Sequence, residues 1–260
     1  MYKVLKVFLC CLLLGGCTHQ NTKEPSAARR TTTYRARYSF SLSRVERPEK
    51  ASQQYGPPKI DTLSSNQDYR YYFEDELVRV RWAFRSNQMA FSLENKADRP
   101  IQIPWDEAAF VDESGRSHRV MHASVKFADR EKPQAPSVVP PKELLEDIVA
   151  PTDYVRWVEG KRSTAGRWEE ESLLPDFDFH SSSLKGEYAT FADFENAAKS
   201  KVGKTIKIVL PLEVEDVVNT YIFTFQIEST DTFEETGQRV GGREGSKSRS
   251  KSEVGGGRKP

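Results

Sequence analysis

LVRVRWAFRSNQMAFSLEN, residues 77–95, contains two runs in which apolar and polar residues alternate. Alternation with a period of two is typical of a strand that is buried on one face. Ser86–Gln88 separates the runs and has the composition of a turn, so the stretch predicts a β-hairpin. The apolar faces consist of Val78, Val80 and Trp82 in the first run, then Met89, Phe91 and Leu93 in the second.

The same pattern continues outward in both directions. Upstream, Tyr34–Ser43 alternates apolar residues with Arg and Ser, and downstream, Glu113–Arg116 forms a second hairpin turn. One helix is predicted over Phe191–Lys201, with Thr190 as its cap and Asp193 completing a capping box. Many short strands with one short helix predict an all-β sandwich or barrel. The other predicted strands are Ile101–Ile103, Ala108–Asp112, Ser117–His122, Ser137–Val139, Leu145–Val149, Tyr154–Val158, Lys204–Leu212 and Val217–Ile227.

Four segments carry a family resemblance: FSLEN at 91–95, IQIPWD at 101–106, FVDESG at 110–115 and SVVPP at 137–141. In their turn chemistry they resemble the small immunoglobulin-like domains of bacterial envelope lipoproteins. The resemblance covers about 77–227, and the long insert between Glu159 and Tyr188 departs from it. It implies an immunoglobulin-like β-sandwich, but it implies no activity, because one fold serves many functions.

The N-terminus has the features of a signal sequence. Lys3 and Lys6 precede the apolar run Val7–Leu14, which is too short to span a bilayer. The following LGGC, 14–17, resembles a bacterial lipoprotein signal, which implies cleavage before Cys17 and a lipid anchor on that residue. An ordinary secretory signal is the alternative. Thr18 is not the Asp that retains lipoproteins at the inner membrane under the enterobacterial rule, which implies the outer membrane, facing the periplasm.

Lipid attachment would also account for the cysteine count. Cys10 and Cys11 lie in the signal, and none of the three cysteines follows Cys17. A disulfide framework is therefore excluded, and a hydrophobic core must hold the fold. We expect a signal peptide at 1–16, a lipidated tether at 17–33, a sandwich domain at 34–230 and a tail at 231–260.

Charge is segregated along the chain although the net charge is +1. Thr18–Ile60 has nine Lys/Arg against three Glu, and Gln238–Pro260 has seven against two, whereas Asp61–Gly237 has 21 against 33 Asp/Glu. The Gly/Ser/Lys/Arg-rich tail predicts a disordered basic arm. Both basic arms suit anionic lipid or lipopolysaccharide, although a merely solvated tail is the simpler interpretation. Nucleic acid is not an expected partner, since the tail has no aromatic residue to stack on a base.

A weak metal-site candidate lies in the insert. Asp176, Asp178 and His180 alternate with phenylalanines, so in a strand they would face one side and offer two carboxylates and an imidazole. An ordinary amphipathic edge strand gives the same pattern. We therefore predict no metal and no cofactor, and keep these residues as the alternative.

Two tryptophans are candidate binding residues. Trp168 lies in a charged segment and has the character of an interface anchor, unless it folds back to hold its own loop. Trp105 next to Asp106 suits a sugar site, although a buried tryptophan is the simpler interpretation. His118 and His122 share a strand face but lie too far apart to bind one metal, and they are expected to be exposed or edge histidines. VGKT at 202–205 lacks the first glycine of a phosphate-binding loop, so that site is rejected.

The sequence thus predicts a membrane-anchored, non-enzymatic binding or scaffold lipoprotein with an envelope protein as partner. The alternative is a metal-dependent or carbohydrate-active envelope enzyme that uses the Asp176–His180 residues or the Trp105 region.

Overall fold

The computed structural model describes residues 30–63, 69–161, 164–174, 188 and 190–238. The chain divides into a first unit, Thr32–Thr236, and a second that contains the termini Met1–Thr31 and Gly237–Pro260. The first unit is mostly β, with a sandwich- or barrel-like arrangement, as the alternating patterns predict. None of the helices in the described ranges has the length and apolar character needed to cross a bilayer.

Fourteen strands and two α-helices make up the described part of the chain. The helices are α1 (Glu49–Gln54) and α2 (Phe191–Lys199). The strands are β1 (Arg30–Glu46), β2 (Lys59–Thr62), β3 (Tyr71–Glu74), β4 (Val78–Phe84), β5 (Met89–Asn95), β6 (Ile101–Ile103), β7 (Ala109–Val111), β8 (Ser117–Met121), β9 (Ser137–Val139), β10 (Leu144–Pro151), β11 (Val155–Val158), β12 (Arg167–Glu170), β13 (Thr205–Val214) and β14 (Val217–Gln238).

Twelve of these strands form one continuous sheet that folds over its own core. Its order is β1-β14-β13-β7-β8-β10-β5-β4-β3-β2, and β6 links β13 to β9. The two halves of the sheet meet where Met121 and Val120 of β8 pair with Ala150 and Pro151 of β10. The β11–β12 hairpin forms a separate two-stranded sheet.

The deciding hairpin is confirmed. Phe84 pairs with Met89 across a loop in which the Arg85 N–H donates to the Gln88 carbonyl. The inward faces of β4 and β5 are fully buried, and Trp82 packs 5.1 Å from Phe223 of β14 on the other half of the sheet. The core is therefore an aromatic layer between the two halves, stabilised by edge-to-face contacts as well as by burial.

The long strands β1 and β14 are neighbours. Ser43 bonds to the Thr224 carbonyl, Ser41 contacts Glu228, and the Arg37 guanidinium lies 4.9 Å from the ring of Phe233. Residue numbers rise along β1 as they fall along β14, so the pair is antiparallel. The start of β1 and the end of β14 consequently lie at the same end of this pair.

The predicted helix is confirmed, and it ends at Lys199. The Thr190 hydroxyl accepts from the Asp193 N–H, and the Asp193 carboxylate accepts from the Thr190 N–H, which completes the capping box. Phe194 is fully buried and stacks on Tyr34 with ring centroids 5.7 Å apart. α2 therefore covers the beginning of β1, which is an edge strand of the sheet.

Two elements lie where the sequence predicted only a loop, α1 and β2. Their position is fixed by a buried ion pair, in which Arg47 meets the Asp75 carboxylate at 2.8 Å. The Tyr221 hydroxyl also donates to Asp75, at 2.9 Å. This cluster connects the end of β1 to β14 and to the β3–β4 turn.

Candidate functional site

An apolar cleft of about 660 Å³ opens on the described surface and is the candidate binding site. It lies between the end of β8, strand β10, the β11–β12 hairpin and the loop that follows His122. Its apolar wall is formed by Met121, Phe127, Ile148, Ala150, Val155 and Trp168. Its volume falls within the range of about 300–1,000 Å³ that is usual for ligand pockets.

Trp168 forms one wall of this cleft and also holds its hairpin in place. It pairs with Trp157 across β11 and β12, with ring centroids 5.4 Å apart, and lies 6.0 Å from the ring of Phe127. The Arg130 guanidinium stacks 5.0 Å from the Trp168 ring. Trp168 therefore packs back on its own hairpin, which is one of the two interpretations of the sequence, and it also lines the cleft. Trp157, which is 47% exposed, extends this aromatic surface to solvent.

Two opposite charges line the same cleft. The Lys126 ammonium is exposed and makes no ion pair or hydrogen bond with any described residue. The Glu170 carboxylate accepts from the Asn87 amide, which is neutral, so no described cation neutralises it. The cleft thus combines an apolar wall with one cation and one carboxylate, neither of which forms an ion pair with a residue in the described ranges.

A second, more polar cleft of about 470 Å³ adjoins the first. The two share His122, Val125 and Lys126. Asp129 and Lys132 lie on its rim, where they pair at 2.6 Å. The loop from His122 to Pro136 therefore forms one side of a surface that changes from polar to apolar.

His122, Ser124 and Asp147 have the residue types of a hydrolytic triad. His122 Nδ1 lies 3.2 Å from Asp147, and Ser124 Oγ lies 3.2 Å from Nε2 and 3.4 Å from Nδ1. A hydroxyl almost equidistant from both nitrogens lies over the ring, whereas a nucleophile must lie in line with the lone pair of its base. Trp105 stacks on His122 with centroids 4.6 Å apart and planes 1° from parallel. This arrangement fixes the ring but does not align a nucleophile.

Both histidines are buried, so the expectation that they are exposed is wrong. His118 is only 9% exposed because β7, β8 and the Thr152–Tyr154 turn enclose it. Its Nε2 lies 3.0 Å from Asp112, and its Nδ1 lies 2.8 Å from Asp153. Burial lowers the pKa of His118, but the bonds to Asp112 and Asp153 outweigh it and raise that pKa above 6.5.

The neighbouring groups respond to the same contacts. Burial opposes ionisation of Asp112, but hydrogen bonds from Ser114, His118 and the Arg116 N–H lower its pKa to about 2. Burial and then the nearby Asp112 raise the pKa of Tyr154 to about 12, so this phenol stays neutral. Tyr154 lies edge-on to His118 with ring centroids 5.2 Å apart, and it also lines the apolar cleft. The buried His118–Asp112 pair is therefore separated from the cleft by Tyr154.

Trp105 is fully buried and donates its indole N–H to the Ser137 hydroxyl at 2.8 Å. The Trp105 ring stacks on the His122 imidazole, and it forms no part of the wall of either cleft. Asp106 accepts from Arg119 at 2.7 Å and from the Gln134 N–H at 3.3 Å. The Trp105–Asp106 pair thus anchors the loop that forms the clefts.

The remaining predicted site residues lie outside the described ranges. Cys17, and Asp176, Asp178 and His180, fall in 1–29 and 175–187. Within the part of the chain that is described, no group of three or more His, Cys, Asp or Glu side chains is arranged to hold a metal ion. VGKT at 202–205 leads directly into strand β13, as expected when the phosphate-loop interpretation was rejected.

Sequence reasoning missed Phe127, Lys126 and Glu170 as site residues. Phe127 is isolated in a charged loop and belongs to no periodic pattern. Glu170 lies in RWEE, 167–170, where the charges conceal a strand. The only usable signal was the pair of tryptophans, Trp157 and Trp168, on either side of a Gly-containing segment.

Comparison of the chain with protein-family models, with curated proteins and with solved structures found no match, so the site is interpreted from its own geometry.

Proposed function

We propose that this protein is a lipid-anchored, non-enzymatic binding module of the bacterial envelope, and that the cleft beside Trp168 is its recognition surface. In this proposal Cys17 carries the lipid, the tether leads to an immunoglobulin-like sandwich at the outer membrane, and the cleft faces the periplasm. The basic arms contact anionic headgroups near the anchor.

One observation carries the binding role. Two aromatic side chains from separate elements, Trp168 and Phe127, line an open apolar cleft. Trp157 packs against Trp168 beside the cleft and remains 47% exposed. Exposed aromatic groups beside a pocket are characteristic of interface hot spots, which are enriched in Trp, Tyr and Arg. Arg130 stacks on the Trp168 ring, so a second of these three residue types is present beside the cleft.

Crosslinking in intact membranes tests the proposal. A photoreactive phenylalanine analogue replaces Trp157, which packs on the cleft residue Trp168, in one variant and Val217 in a control. Val217 is 58% exposed at the start of β14 and lines neither cleft. We expect a reproducible adduct from position 157 that the further change Trp168→Ala abolishes. Equal adducts from both positions, or none from 157, would contradict the binding role.

A further inference from the structure

The cleft beside Trp168 carries charges that indicate the chemical class of its ligand. We infer that it binds a short apolar peptide segment, with the amino end at Glu170 and the carboxyl end at Lys126. This inference rests on the proposed binding function and names its ligand.

The apolar body of the ligand is set by the cleft wall. Phe127, Met121 and Val155 lie on three different elements and all face the same space. Together with Trp168 they offer both aliphatic and aromatic contact, which suits leucine-like or aromatic side chains.

The ends of the ligand are set by Lys126 and Glu170. Asp129, on the same loop as Lys126, pairs directly with Lys132 at 2.6 Å. The Lys126 charge contributes only weakly to the lowered pKa of Asp129, so among the described residues Lys126 has no direct ion-pair partner. Glu170 is half-buried and bonded to the Asn87 amide, which orients its carboxylate without neutralising it. Among ligands with an apolar body, a zwitterionic chain meets both groups at once.

Neutral groups in the cleft suit a peptide backbone. Asn87 and Gln88, in the β4–β5 turn, present side-chain amides that can donate to a carbonyl and accept from an N–H. A round cavity of 660 Å³ would be about 11 Å across, which equals about three residues of extended chain. These features favour a tripeptide-sized segment over a single amino acid.

A thermodynamic cycle on the purified full chain tests the inference. The chain carries Cys17→Ser, which removes the predicted lipid anchor and with it the need for detergent. The peptide Leu-Leu-Leu is titrated into this chain in three forms: with both ends free, with its amine acetylated, or with its carboxylate amidated. We expect each block to weaken binding about tenfold, the value of one charge-assisted hydrogen bond. Lys126→Gln should remove the penalty for blocking the carboxylate only, and Glu170→Gln should remove the penalty for blocking the amine only.

Matched controls separate these contacts from general charge effects. Lys50→Gln removes an exposed charge on α1, and Glu171→Gln removes the carboxylate next to Glu170, one residue beyond the end of β12. Both control variants should bind each of the three peptide forms with the same affinity as the Cys17→Ser chain. If the blocked peptides bind as tightly as the free one, or if the penalties persist in the variants, the inference is wrong.

If only the block on the carboxylate weakens binding, the ligand is an amphiphilic anion and the peptide inference is overturned. Failure of this cycle is distinct from failure of the proposed function, which is tested by crosslinking in membranes. A chain that crosslinks through position 157 but shows no end-charge penalty binds its partner by apolar contact alone.

Discussion

His118 bonds to a carboxylate at each ring nitrogen, and only a protonated imidazole can donate both bonds. Because the folded state raises the pKa of His118, its contribution to stability is complete below 6.5 and is lost as pH rises through the folded value. Because the folded state lowers the pKa of Asp112 from 3.8 to about 2, its contribution is present above 3.8 and is lost as pH falls. The His118–Asp112 pair therefore stabilises the fold most between these limits.

The first prediction concerns this pair. Asp112→Asn should lower the free energy of unfolding by about 2 kcal/mol at pH 5.5, since it leaves a buried imidazolium with one anionic partner and weakens a turn. Asp153→Asn should cost less than about 1 kcal/mol, because that carboxylate is 59% exposed and screened by water. Urea unfolding at pH 5.5 and 8.5 measures both effects. An Asp112→Asn cost that does not shrink at the higher pH would contradict the protonated state assigned to His118.

The second prediction concerns the Arg47–Asp75 pair, whose side chains are 4% and 0% exposed. Arg47→Met should destabilise the protein by about 3–5 kcal/mol, because Asp75 would remain buried without its cation. Arg44 lies three residues earlier, in β1, and its side chain is 70% exposed, so Arg44→Met should change stability by less than about 0.5 kcal/mol. Thermal unfolding of the two variants compares them, and similar midpoints would show that the buried pair contributes little.

At the scale of elements, the β11–β12 hairpin depends on a glycine. A Cβ added at Gly166 would collide with the Trp157 ring, so the ring must move and its packing on Trp168 must change. We predict that Gly166→Ala removes the near-ultraviolet circular dichroism of the tryptophan pair and costs about 1 kcal/mol. Gly115→Ala is the comparison. An added Cβ at Gly115 meets no atom, but alanine at the Gly115 φ of +85° is strained, so this variant changes the backbone without touching the tryptophans. An unchanged tryptophan signal in Gly166→Ala would show that the pair is not packed in this way.

Some elements follow from the sequence and others do not, for physical reasons. β4, β5, β13 and β14 are buried on one face only, so their alternation is visible, and their partners are adjacent in the chain. All four residues of β2 are exposed, so that strand has no apolar period from which it could be predicted.

The cleft could be predicted even less well. The Leu173 N–H bonds to the Ser86 carbonyl at 2.7 Å, and Asn87 bonds to Glu170, so contacts between distant segments bring the walls together. Trp168 was identifiable from its type, whereas Lys126 and Glu170 are ordinary charges until the fold places them in one cleft.

At the scale of the whole molecule, the two long strands bring distant parts of the chain together. Because the β1–β14 pair is antiparallel, Arg30 at the start of β1 and Gln238 at the end of β14 lie at the same end of the pair.

The fourth prediction tests the anchor and the arms together. Cys17→Ser should block labelling by a fatty-acid analogue and release most of the protein from membranes. Removal of residues 239–260 from the unchanged chain should leave labelling intact. In the Cys17→Ser chain, the same removal should reduce the remaining membrane association, which is the part that salt weakens. Fractionation at low and high salt measures both effects. Full membrane retention of Cys17→Ser at high salt would contradict the lipid anchor.

The antiparallel β1–β14 pair also has a mechanical consequence. Tension applied between the two chain ends would separate the strands from their shared end, breaking the ladder one hydrogen bond at a time. Tension between the N-terminal end and the rest of the fold would act along β1 and load many of those bonds at once, since they lie perpendicular to the strand. The fold is therefore a strong attachment when it is pulled through its first strand and a weak one when it is pulled through both ends.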